Sequence, residues 1–156
     1  MELSAYSSLL VSYLRSKLPN PHPSGEWIYV DYPRSDATFP RISVTQTGGN
    51  IEPAGLGELG EEPKTYHVTL NYDIDIWVKV NDRVIIDGET YVGTKLRDKY
   101  ADMVINALLS AKENWFSNHK VIDVEIVGIS TSPLDEDLML HRKTIAIRLT
   151  IEGEVK

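Results

Sequence analysis

Between Thr65 and Val80 the chain reads TYHVTLNYDIDIWVKV, and apolar and polar residues alternate along its whole length. Tyr66, Val68, Leu70, Tyr72, Ile74, Ile76, Val78 and Val80 take the even positions. Thr65, His67, Thr69, Asn71, Asp73, Asp75, Trp77 and Lys79 take the odd ones. Successive strand side chains point to opposite faces, so the stretch predicts one β-strand with an apolar face and a largely polar face. A one-residue slip would turn all eight even-numbered side chains into water, which pins the register. At ~3.3 Å per residue the strand would run about 50 Å, well beyond the usual strand length. It must therefore bend at a bulge or project towards a partner, and a projecting strand points to assembly.

The flanking sequence divides readily into elements. Leu3, Tyr6, Leu9, Leu10, Tyr13, Leu14 and Leu18 recur at helical steps, with Ser4 as the expected cap and Pro19 as the stop. Pro19, Pro21, Pro23 and Gly25 form a stiff connector. Short strands are expected at Trp27–Val30 and Arg41–Thr45. Asp87-Gly88 between Arg83–Ile86 and Thr90–Val92 predicts a tight β-hairpin, because glycine supplies positive φ. A long helix follows, capped by Thr94 and running to about Phe116, with Leu96, Tyr100, Met103, Val104, Ala107, Leu108, Ala111 and Trp115 on one side. Two alternating strands close the chain. In Val121–Ile129, Ile122, Val124 and Ile126 share one face; in His141–Glu152 the inward residues are Ile145, Ile147, Leu149 and Ile151.

Residues 47–64, TGGNIEPAGLGELGEEPK, hold five glycines and two prolines and no regular period. They read as a long loop, either mobile at the surface or an arm that orders against a neighbouring subunit. The fold expected is a single α+β domain over 1–156. Its strongly twisted antiparallel sheet carries the N-terminal and central helices on its apolar face, with a hairpin and a glycine-rich loop added.

The totals exclude several kinds of chemistry. Without cysteine there are no disulfides, zinc–thiolate sites or thiol nucleophiles. A net charge of −7 disfavours wrapping nucleic acid, though it suits a surface past which DNA slides. No apolar run reaches the ~20 residues of a membrane span, and no basic-then-apolar leader opens the chain. A soluble intracellular or particle-bound protein is expected.

No G-x-S-x-G elbow, P-loop or H-E-x-x-H occurs. Gly55-Leu56-Gly57-Glu58-Leu59-Gly60 has dinucleotide-loop spacing, but it precedes a strand and its glutamate would repel a pyrophosphate. Asp73 and Asp75 lie ~7 Å apart on the polar face and could share a cation or act as an acid–base pair. Such a metal site needs more oxygens, and acid–base work needs a pocket, so the expectation is no metal, no cofactor and no catalytic residue. A solvated or subunit-facing strip is the simpler reading. Trp77, amid those carboxylates, reads as an interface anchor or as a residue covered by the protein's own loop. His141-Arg142-Lys143 reads as a solvated basic edge.

The element order, carried by PRISVTQTGG, YHVTLNYDIDIWVKV, YADMVINALLSAKENW and HRKTIAIRLTIEGEV, resembles the tail-terminator (tail-completion) proteins of long-tailed phages and related viruses. RVIIDGETYVG also resembles pieces of head-completion proteins from the same particles. The resemblance implies a structural, non-enzymatic virion protein, made in the host cytoplasm and built into the tail or neck. It implies a homo-oligomeric ring, commonly a hexamer, that stops tail-tube growth, contacts the tail tube protein and the head connector or adaptor, and lets genomic DNA pass unbound. Asp73, Asp75, Trp77, Glu58, Glu61 and Glu62 are then the candidate subunit-interface or lumen residues. The competing expectations are a head-completion or neck adaptor, and a small ligand-binding or metal-dependent α+β domain using Asp73 and Asp75.

Overall fold

The computed structural model describes residues 3–31, 37–54, 65–111 and 120–154. The element order is α1 (Ser4–Lys17), β1 (Ile28–Val30), β2 (Arg41–Pro53), β3 (Thr65–Lys79), β4 (Arg83–Ile86), β5 (Glu89–Val92), α2 (Thr94–Ala111), β6 (Val121–Thr131) and β7 (Leu140–Glu154). Five strands form one sheet in the order β1-β2-β3-β7-β6, and β4 pairs with β5 separately. Among the described strands β1 and β2 pair in parallel and the other pairings are antiparallel. The fold is α+β.

The long alternating strand is β3, the central member of the sheet. Its even-numbered side chains from Val68 to Val78 are buried, and they join Ile42 and Val44 of β2 and Ile145, Ile147, Leu149 and Ile151 of β7 in one core. Both helices cover this face. α1 contributes Leu10, Val11, Tyr13 and Leu14, and α2 contributes Leu96, Tyr100, Val104 and Leu108. The helices are tied to each other by the Tyr13 hydroxyl, which donates to the Ala107 carbonyl at 2.5 Å. Trp27 packs on Tyr100 with ring centroids 4.9 Å apart. At the end of α1, Leu18 turns extended (φ −106°, ψ 132°) ahead of Pro19, as the residue before a proline prefers.

Several expectations are corrected. α1 begins at Ser4 itself, with Leu3 at the cap position and no side-chain cap bond, so Ser4 does not cap it. α2 likewise takes Thr94 as its first helical residue, and its expected stretch beyond Ala111 lies outside the described residues. In β6 a register shift between Val121 and Asp123 leaves Ile122 as an extra residue. Val121 is therefore buried with Val124, and Ile122 is 53% exposed instead of sharing their face.

The largest correction concerns 47–64. Residues 47–53 are the distal half of β2 and not loop; Gly48–Pro53 pair with Tyr66–Asn71 of β3. Sequence pattern hides this strand because it lies at a border of the sheet. β1 pairs only with Ile42–Val44. Beyond that point β2 has no outer neighbour among the described strands, so Pro53 tolerates its missing N–H and no apolar alternation is demanded. A bulge at Thr47 further breaks the period. The remainder of the expected loop, from residue 55 to 64, lies outside the described residues.

Candidate functional site

The face of the sheet opposite the helices carries the odd-numbered residues of β3, and register assembles them into rows across the strands. Ser43, Asp75 and Thr144 form one row; Arg41, Trp77 and Arg142 form the next. Directly opposed side chains in an antiparallel pair are ~5 Å apart at Cβ, so each row is a contact set.

Asp75 is the centre of this set and is 0% exposed. Its Oδ1 accepts from Arg142 Nε at 2.9 Å and from the Thr144 hydroxyl. Its Oδ2 receives no hydrogen bond from a described residue. Arg142 also lies over the Trp77 ring, 4.8 Å from its centroid, while the Trp77 indole N–H donates to Ser43 Oγ at 2.9 Å. Arg41 stacks on Tyr29 at 4.0 Å. Asp75 is thus withdrawn from water among partly exposed arginine and aromatic side chains, although no helix covers this face among the described elements. Asp73 is half-buried; burial, then the neighbouring Asp75 charge, push its carboxyl above the usual range, with Arg142 opposing.

Towards the other end the face becomes wet and acidic. Arg148 Nη1 lies 3.4 Å from Glu125, both substantially exposed. His67 stands directly between Glu52 and Glu152 on the adjacent strands. No group of three or more metal-ligating side chains is gathered among the described residues. No helix among them is long and apolar enough to cross a membrane.

Of the sequence-predicted residues, Asp73, Asp75 and Trp77 come together on the polar face as expected. Their surroundings differ from a solvated strip. Asp75 is engaged by Arg142 and Thr144, and Trp77, partly buried, meets Ser43 and Arg142 of the adjacent strands. Glu58, Glu61 and Glu62 lie outside the described residues. The basic cluster His141-Arg142-Lys143 is split by strand alternation: Arg142 turns to Asp75, whereas Lys143 turns to the helix side and meets Asp98 at 3.0 Å. Arg142, Thr144 and Ser43 are the members that sequence reasoning missed. The alternation of β7 placed Thr144 outward, but only the pairing of β3 with β7 reveals which acid it meets.

Compared with models of known protein families and with curated protein sequences, the chain matches none.

Proposed function

We propose that this is a ring-forming structural protein of a long-tailed phage or related virus. In this reading it sits at the head-proximal end of the tail tube, stops tube polymerisation and joins the tail to the head connector. The supporting observation is a sheet of long strands with two open borders. β2 beyond Val44 has no outer strand among the described residues, and neither does β6 along its length. Open edges are hazards unless a partner closes them, and a closed ring of copies does so without leaving a free end.

The sheet is strongly twisted in this reading, and Glu58, Glu61 and Glu62 of the glycine-rich stretch are candidate subunit-interface or lumen residues. Asp73, half-buried, is the carboxylate of the polar-face cluster open to a partner, while Asp75 is enclosed beneath Arg142 and Thr144. The net charge of −7 suits a channel through which DNA passes without sticking.

Native mass spectrometry and negative-stain imaging of the purified chain test this reading. A closed ring is expected, six-membered by the resemblance, and it should halt elongation when added to growing tail tubes. A ring that binds the head connector but leaves tubes growing would move the assignment to a neck adaptor. A chain that stays single at high concentration would overturn both.

A further inference from the structure

The hydrogen-bond phase of the two open borders says how copies join. The Ala54 N–H donates to the Thr65 carbonyl at 2.9 Å, which makes that a bonded pair of the β2–β3 ladder. Bonded and non-bonded pairs alternate in an antiparallel ladder, so Gly49 and Ile51 turn their N–H and C=O groups outward, away from β3. On β6 the Ser132 N–H donates to the Arg142 carbonyl at 3.1 Å and the Glu152 N–H to the Lys120 carbonyl at 3.1 Å. Counting from both ends through the register, Val124, Ile126, Ile129 and Thr131 turn their backbone groups outward.

The two borders match in three independent respects. First, the long strands β2, β3, β7 and β6 are four, an even number, and each runs antiparallel to the next. β6 and β2 therefore run in opposite directions, so a copy placed alongside by rotation presents its β2 antiparallel to β6. Second, the outward-facing residues on both borders carry their side chains on the same face, the helix side: Ile51 is opposite Val68, and Ile129 is opposite Ile145. A new ladder continues both the bonding phase and the pleat. Third, the side chains it would join are apolar and uncovered, with Ile51 56% and Ile129 52% exposed. Each border is interrupted by bulges, at Thr47 on β2 and at Ile122 and Val127 on β6. Beyond them, 48–53 and 128–131 remain regular, and a ring needs some stagger between neighbours.

We infer that the free edge of β2, residues 48–53, pairs antiparallel with the outer edge of β6 in a second copy of this chain. The contact is head-to-tail and sets Ile51 beside Ile126 or Ile129. This rests on the ring reading for its purpose.

Proline tests it, because a proline at an outward-facing N–H removes one edge donor without removing a bond within the chain. Ile51→Pro and Ile129→Pro, each checked for native circular dichroism, should be single chains where the parent protein is a ring. Mixed in equal amounts they should form a dimer and nothing larger, since each supplies the edge that the other lacks. Assembly of either folded variant as in the parent, or a mixture that stays monomeric, would overturn the inference. Amide hydrogen exchange on the unmodified protein decides the matter without variants. The Ile51 and Ile129 amides should slow on assembly, and fast exchange in the assembled state would overturn it. A parent ring with unprotected edges would remove the edge inference alone; a monomeric parent would remove the ring reading itself.

Discussion

Arg142 reaches across from β7 to hold Asp75 of β3, Nε to Oδ1 at 2.9 Å, and the two partners are unequally buried: the carboxylate is wholly enclosed while the arginine side chain is 30% exposed. Removing the arginine strands a charge in the interior. Removing the carboxylate's charge leaves an arginine able to reach water. Arg142→Ala should therefore destabilise by about 3 kcal/mol, the bottom of the range for breaking a buried pair because one partner is partly solvated. Asp75→Asn keeps an acceptor for Thr144 and should cost about 1 kcal/mol. Urea unfolding of the two variants checks the asymmetry; equal losses would mean that Asp75 is not enclosed.

Adjacent glycines in β2 should behave oppositely. A Cβ on Gly49 would stand 2.7 Å from the Thr69 carbonyl oxygen and 3.2 Å from the Leu70 side chain, so the strands must part to admit it. A Cβ on Gly48 meets only the Asn71 amide nitrogen, at 4.0 Å. Gly49→Ala should lower stability by about 1–2 kcal/mol. Gly48→Ala should be neutral or stabilising by a few tenths, since it restricts only the unfolded chain. Thermal unfolding of the pair distinguishes these outcomes.

The same strand shows where sequence stops being informative. Elements that bury one face announce themselves by period: β3 and β7 alternate because Ile74, Ile76, Ile145 and Ile147 meet the helices, and α1 and α2 repeat at helical steps for the same reason. The Asp87-Gly88 turn is legible because its geometry is local, with φ of 52° and 82° at the two residues. The distal half of β2 buries no side chain, so nothing periodic marks it. The bulge at Ile122 inverts which of two neighbouring apolar residues is inward, and no propensity distinguishes Val121 from Ile122. At the polar face, Asp73, Asp75 and Trp77 were visible as a pattern. Their partners Ser43, Thr144 and Arg142 are 32, 69 and 67 residues from Asp75 and become neighbours only through strand pairing.

Asp73 carries a penalty that can be relieved. Its carboxyl is pushed up by burial and by the Asp75 charge, so the folded protein binds that proton more tightly than the unfolded chain. Ionised Asp73 thus destabilises at neutral pH, and the penalty disappears as pH falls through the raised value towards the ordinary carboxylate range. Asp73→Asn should stabilise by up to about 0.5 kcal/mol at neutral pH, as befits a partly solvated group. Its advantage should vanish in acid. Melting temperatures of parent and variant across that range check the sign; a variant less stable at neutral pH would contradict it.

Asp98 has the opposite sign. It joins Arg97 Nε and Lys143 Nζ, each at 3.0 Å, and so ties α2 to β7. Burial alone raises its carboxyl, but the hydrogen bonds and charges of Arg97 and Lys143 together outweigh it and hold the group below the usual value. The stability it contributes is fully present above the unfolded-state value and is lost as pH falls through the lower folded value. The Asp98 side chain is 48% exposed, so solvent screens the pairs and ~0.2–1 kcal/mol is the expected loss for Asp98→Asn at neutral pH. Parent and variant should converge once the pH is below the folded carboxyl's value, and added salt should shrink the difference at neutral pH. Lys143→Met in the Asp98→Asn background isolates the link between α2 and β7. If that link carries the effect, the second change adds little; full additivity would place the stabilisation with Arg97, on the same helix, instead.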